Sequence, residues 1–520
     1  MGRSGAAAAT ALAAPHIARS ADQPPRPGQK PRHIIMLIAD GMSQGTLTCA
    51  DLLSQMTRKR GTEWVKLYSH PAAFTGLMNM RSLNSLVTDS SAASSSWGSG
   101  SRIANGAVNV LPDGRELTPL YTLFKDAGWK RGLVTTTEIT HATPAGFAAN
   151  DGKRSSAEAI ARQYLERRVD VLLGGGRKFY DPKKRKDKAD LWKEHRAAGY
   201  HVALDKAALD KAPLDKPWLG TFSESHLPFT VDWNQSRDLQ RTVPTLAEMT
   251  RAALRKLERA EHFILQVEGG RVDHGAHSND AAGAFFDQIA FDEALEVCLE
   301  FQQRTPDTLL VITTDHGNAN PGLNGIGKNY VASSPLFANL LEFKSSTELL
   351  LKRLGVTTSS SETAASDAET KNVAKAEAKA PAAPKPAPPA TLIQKAIADA
   401  CGYKAPIAKC DALARVIEKK GLVMFETMNS TTAQLGQLLA NHTGVGWTSG
   451  AHTADYVAVA SLGPGAEKFR GFIQNTDVFR HFLDFAGIDF KNPEMPLMAA
   501  SPAADTGAGE PHWLAEETPA

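Results

Sequence analysis

Cysteine is scarce in this chain: four residues in 520 are too few for a disulfide scaffold, and none falls in the His/Asp/Glu motifs described below. Long apolar runs are missing as well. No segment reaches the roughly 18 uninterrupted apolar residues of a membrane-crossing helix, so no transmembrane segment is expected. Charge of one sign is also lacking, since 58 basic side chains against 56 acidic ones leave a net charge of +2. No broad field therefore marks a nucleic acid as a specific partner. The densest basic run, DPKKRKDKADLWK at residues 181–193, is interrupted by Asp and reads as a solvated loop.

What remains is the composition of an ordinary globular protein, with 42% hydrophobic and 22% charged residues, in a chain long enough to bury a large core. One large domain with an insertion is expected. Residues 1–30 form a lead-in: Arg3, an Ala-rich stretch over residues 6–14 and small residues before a Pro-rich segment. This reads either as a weak export signal or as a disordered Ala-rich tail. An export signal would place the mature protein in the periplasm or outside the cell. Cys401 and Cys410 bracket a turn, CGYKAPIAKC, that an exported protein could close with a disulfide; two free thiols are the equal alternative.

Apolar runs recur with helical or turn signals between them: RHIIMLIAD, RGLVTTTE, RVDVLLGGG, HFILQVEG, DTLLVITTD and DYVAVASLGPG. Near-continuous apolar strands alternating with helices predict an α/β fold, a three-layer α/β/α sandwich around a mainly parallel sheet. The helix expected over residues 279–304 would line its inner face with Ala284, Ile289, Ala290 and Leu295 and keep Asp287, Asp292 and Glu296 outside. The catalytic core is expected over residues 31–343 and 441–490, with a tail at 491–520. Between the two parts lies a helical insertion at 344–440. Within it, residues 357–390 are rich in Ala, Pro, Lys and Ser and read as a disordered linker, because they cannot bury enough apolar surface to offset ordering.

The chemistry concentrates where strands end. VEGGRVDHGAH at residues 267–277 and TTDHGN at 313–318 place acidic residues and histidines just past two apolar runs, at the sheet edge where open α/β folds bind ligands. Asp40 ends the first run in the same way. Asp40, Asp273, His277, Asp315, His316 and His452 together supply the oxygen and nitrogen donors that suit zinc, with Glu268 at the same edge. In VTDSSAASSSWGSG, from residue 87, Ser90 is the candidate nucleophile. A helix starting there would offer backbone amides and the positive end of its dipole to a phosphate, and a nearby cation would make the hydroxyl reactive. His70, His195, His201, His226 and His262 lack ligand-like neighbours in sequence and read as surface or packing residues; His442 reads as a structural hydrogen-bonding residue.

These motifs, with HATPAG at residue 141 and SGAHT at 449–453, occur in an order that resembles the alkaline phosphatases over residues 32–343 and 441–490. The resemblance implies a phosphomonoesterase with two zinc ions and one magnesium, working through a phosphoserine. It casts Ser90 as the phosphorylated serine and Arg154 as the phosphate clamp. Asp273, His277 and His452 match one zinc site, and Asp40, Asp315 and His316 the second. Asp40, Thr143 and Glu268 match the magnesium site. Such ions would bring six positive charges against four carboxylates, leaving a site about two charges positive, suited to a phosphate monoester dianion. His141 and His274 depart from the best-known bacterial pattern and resemble the histidine pair of the animal enzymes, with an outer role orienting water or a carboxylate. Ser91 replaces a small apolar residue of the family. The resemblance also allows a homodimer. A phosphodiesterase or sulfatase of related architecture, and a phosphate-binding protein without activity, are the alternatives.

Overall fold

The computed structural model describes residues 28–356, 386–421 and 423–498. Nearly all of the expected leader, residues 357–385 of the expected linker and residues 499–520 of the tail lie outside the described residues. Strand β1 (His33–Ile38) sets the frame. Ile34, Met36 and Ile38 join one apolar cluster, while Ile35 and Leu37 join another. Successive side chains of a strand point to opposite faces, so a strand apolar at every position must be covered on both sides. Each of these buried aliphatic side chains contributes about 1.5–3 kcal/mol.

The remaining strands are β2 (Phe74–Asn79), β3 (Lys130–Glu138), β4 (Val171–Gly175), β5 (His201–Ala203), β6 (Trp218–Thr221), β7 (Phe263–Glu268) and β8 (Thr308–Thr313). They are followed by β9 (Gly317–Asn318), β10 (Gly322–Leu323), β11 (Val445–Gly446), β12 (His452–Thr453), β13 (Val457–Leu462) and β14 (Gly471–Gln474). Ten of them form one sheet in the order β14-β2-β13-β8-β1-β7-β3-β4-β6-β5. Only β13 runs antiparallel to its neighbours, β2 and β8. Helices Ser90–Ser99, Leu120–Asp126, Ala142–Ala148, Ala157–Glu166 and Asn475–Ala486 cover one face, and Leu246–Leu257 with Ala281–Arg304 the other. The result is the expected three-layer α/β/α sandwich.

Several local expectations need correction. Asp287 and Asp292 do not stay outside the long helix: both are buried. Asp292 pairs with Arg58 at 2.7 Å and accepts from the Trp64 amide, and Asp287 accepts from the Thr230 amide at 2.9 Å. That helix is wrapped by neighbours on more than its apolar stripe, so its acids find internal partners. The basic run at 181–193 is not wholly solvated either. Arg185 is 2% exposed and donates to the Glu158 and Phe179 carbonyls. The boundary at 490 falls too early, since Asn492 is buried and donates to the Ser99 and Thr118 carbonyls.

The insertion is helical where described: Thr347–Arg353, Ala390–Cys401, Ile407–Ile417 and Thr431–Thr443. Helix already starts at Ala390, inside the expected linker, and the last helix continues past residue 440. Ile393, Ile397, Leu413, Leu435 and Leu439 share a core with Leu53, Phe285 and Phe337, so the insertion packs on the body. Cys401 and Cys410 are both buried free thiols in that core. No helix among the described residues is long and apolar enough to cross a membrane.

Candidate active site

The parallel register of β8, β1 and β7 aligns Thr313, Ile38 and Glu268 in one row. Asp40, Glu268 and Asp315 therefore emerge at the same carboxyl edge, and all three are fully buried. Gly41 turns the chain away at a φ of +68°, and a side chain there would collide with Asp273. The close approach of that carboxylate therefore requires glycine. Helix Ser90–Ser99 reaches the same edge. Its cap is Asp89, whose carboxylate accepts from the Ala92 amide at 2.8 Å, leaving Ser90 at the first helical position. Gly98 and Gly146 let it pack backbone against backbone on helix Ala142–Ala148, where a Cβ at Gly98 would strike the Gly146 carbonyl.

Three groups of donor atoms converge, each within 4.8 Å: Asp273, His316 and His452; Asp40, Asp315 and His316; and Asp40, His141 and Glu268. His277 joins the first, with Nε2 at 3.3 Å from Asp273 Oδ2 and 3.0 Å from His452 Nε2. Thr143 adjoins the third, its hydroxyl 3.4 Å from Asp40 Oδ2. Ser90 Oγ lies 3.1 Å from His316 Nε2. Every residue expected at the metals is thus brought to one place, and His141 stands among the donors themselves rather than behind them.

The donor chemistry fits cations. Nδ1 of His277 faces the Gly450 carbonyl at 2.8 Å, and Nδ1 of His452 faces that of Thr88 at 2.9 Å. A carbonyl only accepts, so each Nδ1 carries the proton and each neutral Nε2 presents a lone pair. Two lone pairs 3.0 Å apart beside a carboxylate repel unless a positive charge lies between them. Buried Oε1 of Glu268, Oδ2 of Asp273 and Oδ2 of Asp315 likewise accept no well-aligned hydrogen bond. Burial, with the neighbouring Asp273 carboxylate, raises the Asp315 carboxyl. Desolvation and the adjacent His316 push the His452 imidazole down to about 4.

Beside the serine, Arg154 Nη1 sits 3.1 Å from Asp89 Oδ2. Burial works against the Asp89 charge, yet Arg154, the Ala92 and Gly106 amides and the Ser91 hydroxyl outweigh it and keep the carboxylate ionised. Ser91 is thereby committed to Asp89, to which it donates at 2.7 Å, whereas Ser90 faces His316. Four contributors escaped the sequence reading. Thr135 Oγ1 donates to Glu268 Oε2 at 2.5 Å, and Asn318 Nδ2 donates to Asp273 Oδ1 at 2.5 Å. His226, read as a surface or packing residue, packs edge-to-face on His141 and His274 at 5.8 and 4.4 Å. Arg271 holds Nδ1 of His274 at 2.8 Å. Asn318 and Arg271 lie inside the quoted motifs and could have been suspected; Thr135 and His226 depend on strand register and a loop path that no local pattern encodes.

Buried carboxylates and imidazoles gathered at the strand tips of an α/β sandwich, beside a serine at a helix start and an arginine, define a metal-dependent hydrolase of phosphate esters. The family model described as Alkaline phosphatase matches residues 31–488, and the chain belongs to the alkaline phosphatase family. It is a phosphoric monoester hydrolase of that metal-dependent family. Alkaline phosphatase 4 of Bacillus subtilis is 31% identical over 457 residues, 86% of this chain and 87% of that protein. Streptomycin-6-phosphate phosphatase of Streptomyces griseus is 32% identical, over 56% of this chain and 75% of that protein. The crystal structure of Thermus thermophilus alkaline phosphatase superposes with a TM-score of 0.79 at 32% identity, covering 94% of this chain and 98% of that one.

Proposed function

We propose that Ser90 is transiently phosphorylated while the substrate alcohol departs, and that water then releases inorganic phosphate. The observation that carries this reading is the position of Ser90: first in its helix, buried, and 3.1 Å from His316 in the middle of the donor groups. Its Oγ would form the new bond to phosphorus in line with the breaking bond to the alcohol oxygen. Arg154, held by Asp89, would bind two non-bridging oxygens through its fork. Two zinc ions would be held by Asp273, His277 and His452 and by Asp40, Asp315 and His316, and a magnesium by Asp40, Thr143 and Glu268. When bound, such ions make serine and water nucleophilic near neutral pH and offset the phosphoryl charge. His141, 3.9 Å from Glu268 Oε1, would add a nitrogen donor to the third position, and His274 would act from behind it. The catalytic core is interrupted by the insertion rather than extended by it, and the protein is read as exported, with a homodimer as the assembly compatible with the family.

The test is hydrolysis of p-nitrophenyl phosphate beside bis-p-nitrophenyl phosphate by protein loaded with zinc and magnesium, with the Ser90→Ala variant in parallel. Strong monoester preference, lost in the variant, is expected. Preference for the diester, or undiminished turnover by Ser90→Ala, would remove the phosphoserine reading.

A further inference from the structure

Behind the third donor group lies a chain of contacts that starts in the insertion. Glu348, in the first turn of helix Thr347–Arg353, accepts from Arg271 Nη2 at 2.7 Å, and Arg271 Nη1 approaches His274 Nδ1 at 2.8 Å. Arg271 is 4% exposed and its guanidinium lies 3.7 Å over the Phe229 ring, so stacking and two hydrogen bonds fix its plane. The far end of the chain is also anchored. Asp232 accepts from the amide and hydroxyl of Ser346 at 2.8 and 2.6 Å, and Asp280 accepts from the Thr347 amide at 2.6 Å. Glu348 is thus presented from a pinned helix start even though its own side chain is 57% exposed.

The chemistry of Arg271 decides the state of His274. A guanidinium only donates, so Nδ1 of His274 must accept, and the proton of the neutral ring resides on Nε2. A second imidazole obeys the same logic: His226 Nδ1 accepts from the Glu138 amide at 3.2 Å, leaving its proton on Nε2. The two rings pack edge-to-face at 4.4 Å, and each packs edge-to-face on His141, at 5.7 and 5.8 Å. His141 in turn belongs to the donor group of Asp40 and Glu268. This differs from His277 and His452, whose Nδ1 atoms face carbonyls. In one site, carbonyl partners leave Nε2 as a lone pair suited to a cation, while cationic or amide donors make Nε2–H a donor suited to oxygen.

We propose that Arg271 and Glu348 are positioning residues that hold His274 as the Nε2–H tautomer, fixed at the rim of the third donor group. There it donates to an oxygen of the substrate phosphoryl group or of water bound beside it. This rests on the phosphomonoesterase reading above, and it makes the insertion a contributor to the reaction. Glu348 acts through Arg271, and neither touches the substrate.

The test uses the metal-loaded full chain. Nitrogen-15 spectra of histidine-labelled protein, with the His274 resonances assigned by their loss in His274→Gln, are expected to show His274 protonated on Nε2 alone. Glu348→Ala should loosen Arg271, shift those resonances toward a mixture of tautomers and lower kcat by about tenfold, with KM and the zinc and magnesium content unchanged. Glu348→Gln, which can still accept the hydrogen bond, should restore most of the loss. A wild-type His274 protonated on Nδ1, or Glu348→Ala with unchanged spectrum and kcat, would overturn the proposal. So would a loss in Glu348→Ala that follows a fall in bound metal. If wild-type protein failed to hydrolyse monoesters at all, the functional reading would fall, while the tautomer of His274 would still decide the Arg271 contact.

Discussion

Replacing Asp287 with Asn should make the protein more stable in neutral and alkaline solution, with the gain shrinking steadily as pH falls from about 7 toward 3.8. Asp287 is 4% exposed. Burial drives its carboxyl up from an ordinary 3.8 to about 7, a rise only partly opposed by the Thr230 amide and Arg271 and reinforced by Asp232. A carboxyl raised in the folded state favours folding fully below pH 3.8, and that contribution is lost as pH climbs through about 7. Above that pH the folded protein carries a buried negative charge that the unfolded chain bears at no cost in water. The displacement corresponds to about 4 kcal/mol as an upper bound. Asp287 also lines a cavity of about 360 Å³, and water entering it would reduce the penalty, so about 1–3 kcal/mol is the working expectation. Asn keeps an oxygen for the Thr230 amide and removes the charge. In a chain of this size the gain amounts to a rise in Tm of on the order of 1–3 °C. The assay is thermal unfolding of both metal-loaded proteins at a series of pH values from about 4.5 to about 9, which covers most of the interval between the ordinary and the raised titration and about two units above it. Metal-linked effects common to both proteins cancel in the difference. That difference should grow through pH 7 and then level off. A difference independent of pH, or a wild type more stable throughout, would refute the reasoning.

Arg58→Ala should destabilise the fold by about 3 kcal/mol, because Asp292, with 1% of its side chain exposed, would be left buried without its cation; urea unfolding measures this, and Arg58→Ala combined with Asp292→Asn should recover part of the loss. Exhaustive chelation should abolish hydrolysis and lower Tm, since the facing lone pairs of His277 and His452 then lack a cation, while far-UV circular dichroism stays close to that of the loaded protein because the sheet is held by its apolar clusters. Activity returning only with both zinc and magnesium would fit the proposed occupancy, and activity surviving chelation would oppose it. Arg154→Ala should weaken product inhibition by phosphate by about tenfold, measured as Ki, with Ser91→Ala changing it far less, since Ser91 reaches the site only through Asp89.

The layers of the fold and the place of the site were legible because both follow from short-range pattern. Near-continuous apolar strands such as His33–Ile38 need cover on two faces, and an acid just past such a strand can only emerge at the sheet edge. What the sequence left hidden depends on which pieces meet. Asp287 and Asp292 look in sequence like the exposed acids of an amphipathic helix, and only the packing of residues 58–64 and 230 against that helix gives them internal partners. His226 has no ligand-like neighbour in sequence to mark it, yet the loop after β6 carries it to the amide of Glu138 at the end of β3. The same limit explains why the histidines of one motif could not be told apart. His274 and His277 lie on one helical turn of VEGGRVDHGAH, and the roles proposed for them diverge through their Nδ1 partners: Gly450, far along the chain, for His277, and Arg271, three residues back and itself held by the distant Glu348, for His274. An imidazole becomes a cation ligand or a hydrogen-bond donor according to what its second nitrogen meets. The division of labour proposed for this motif therefore depends on Glu348 in the insertion and on Gly450 where the chain returns to the core.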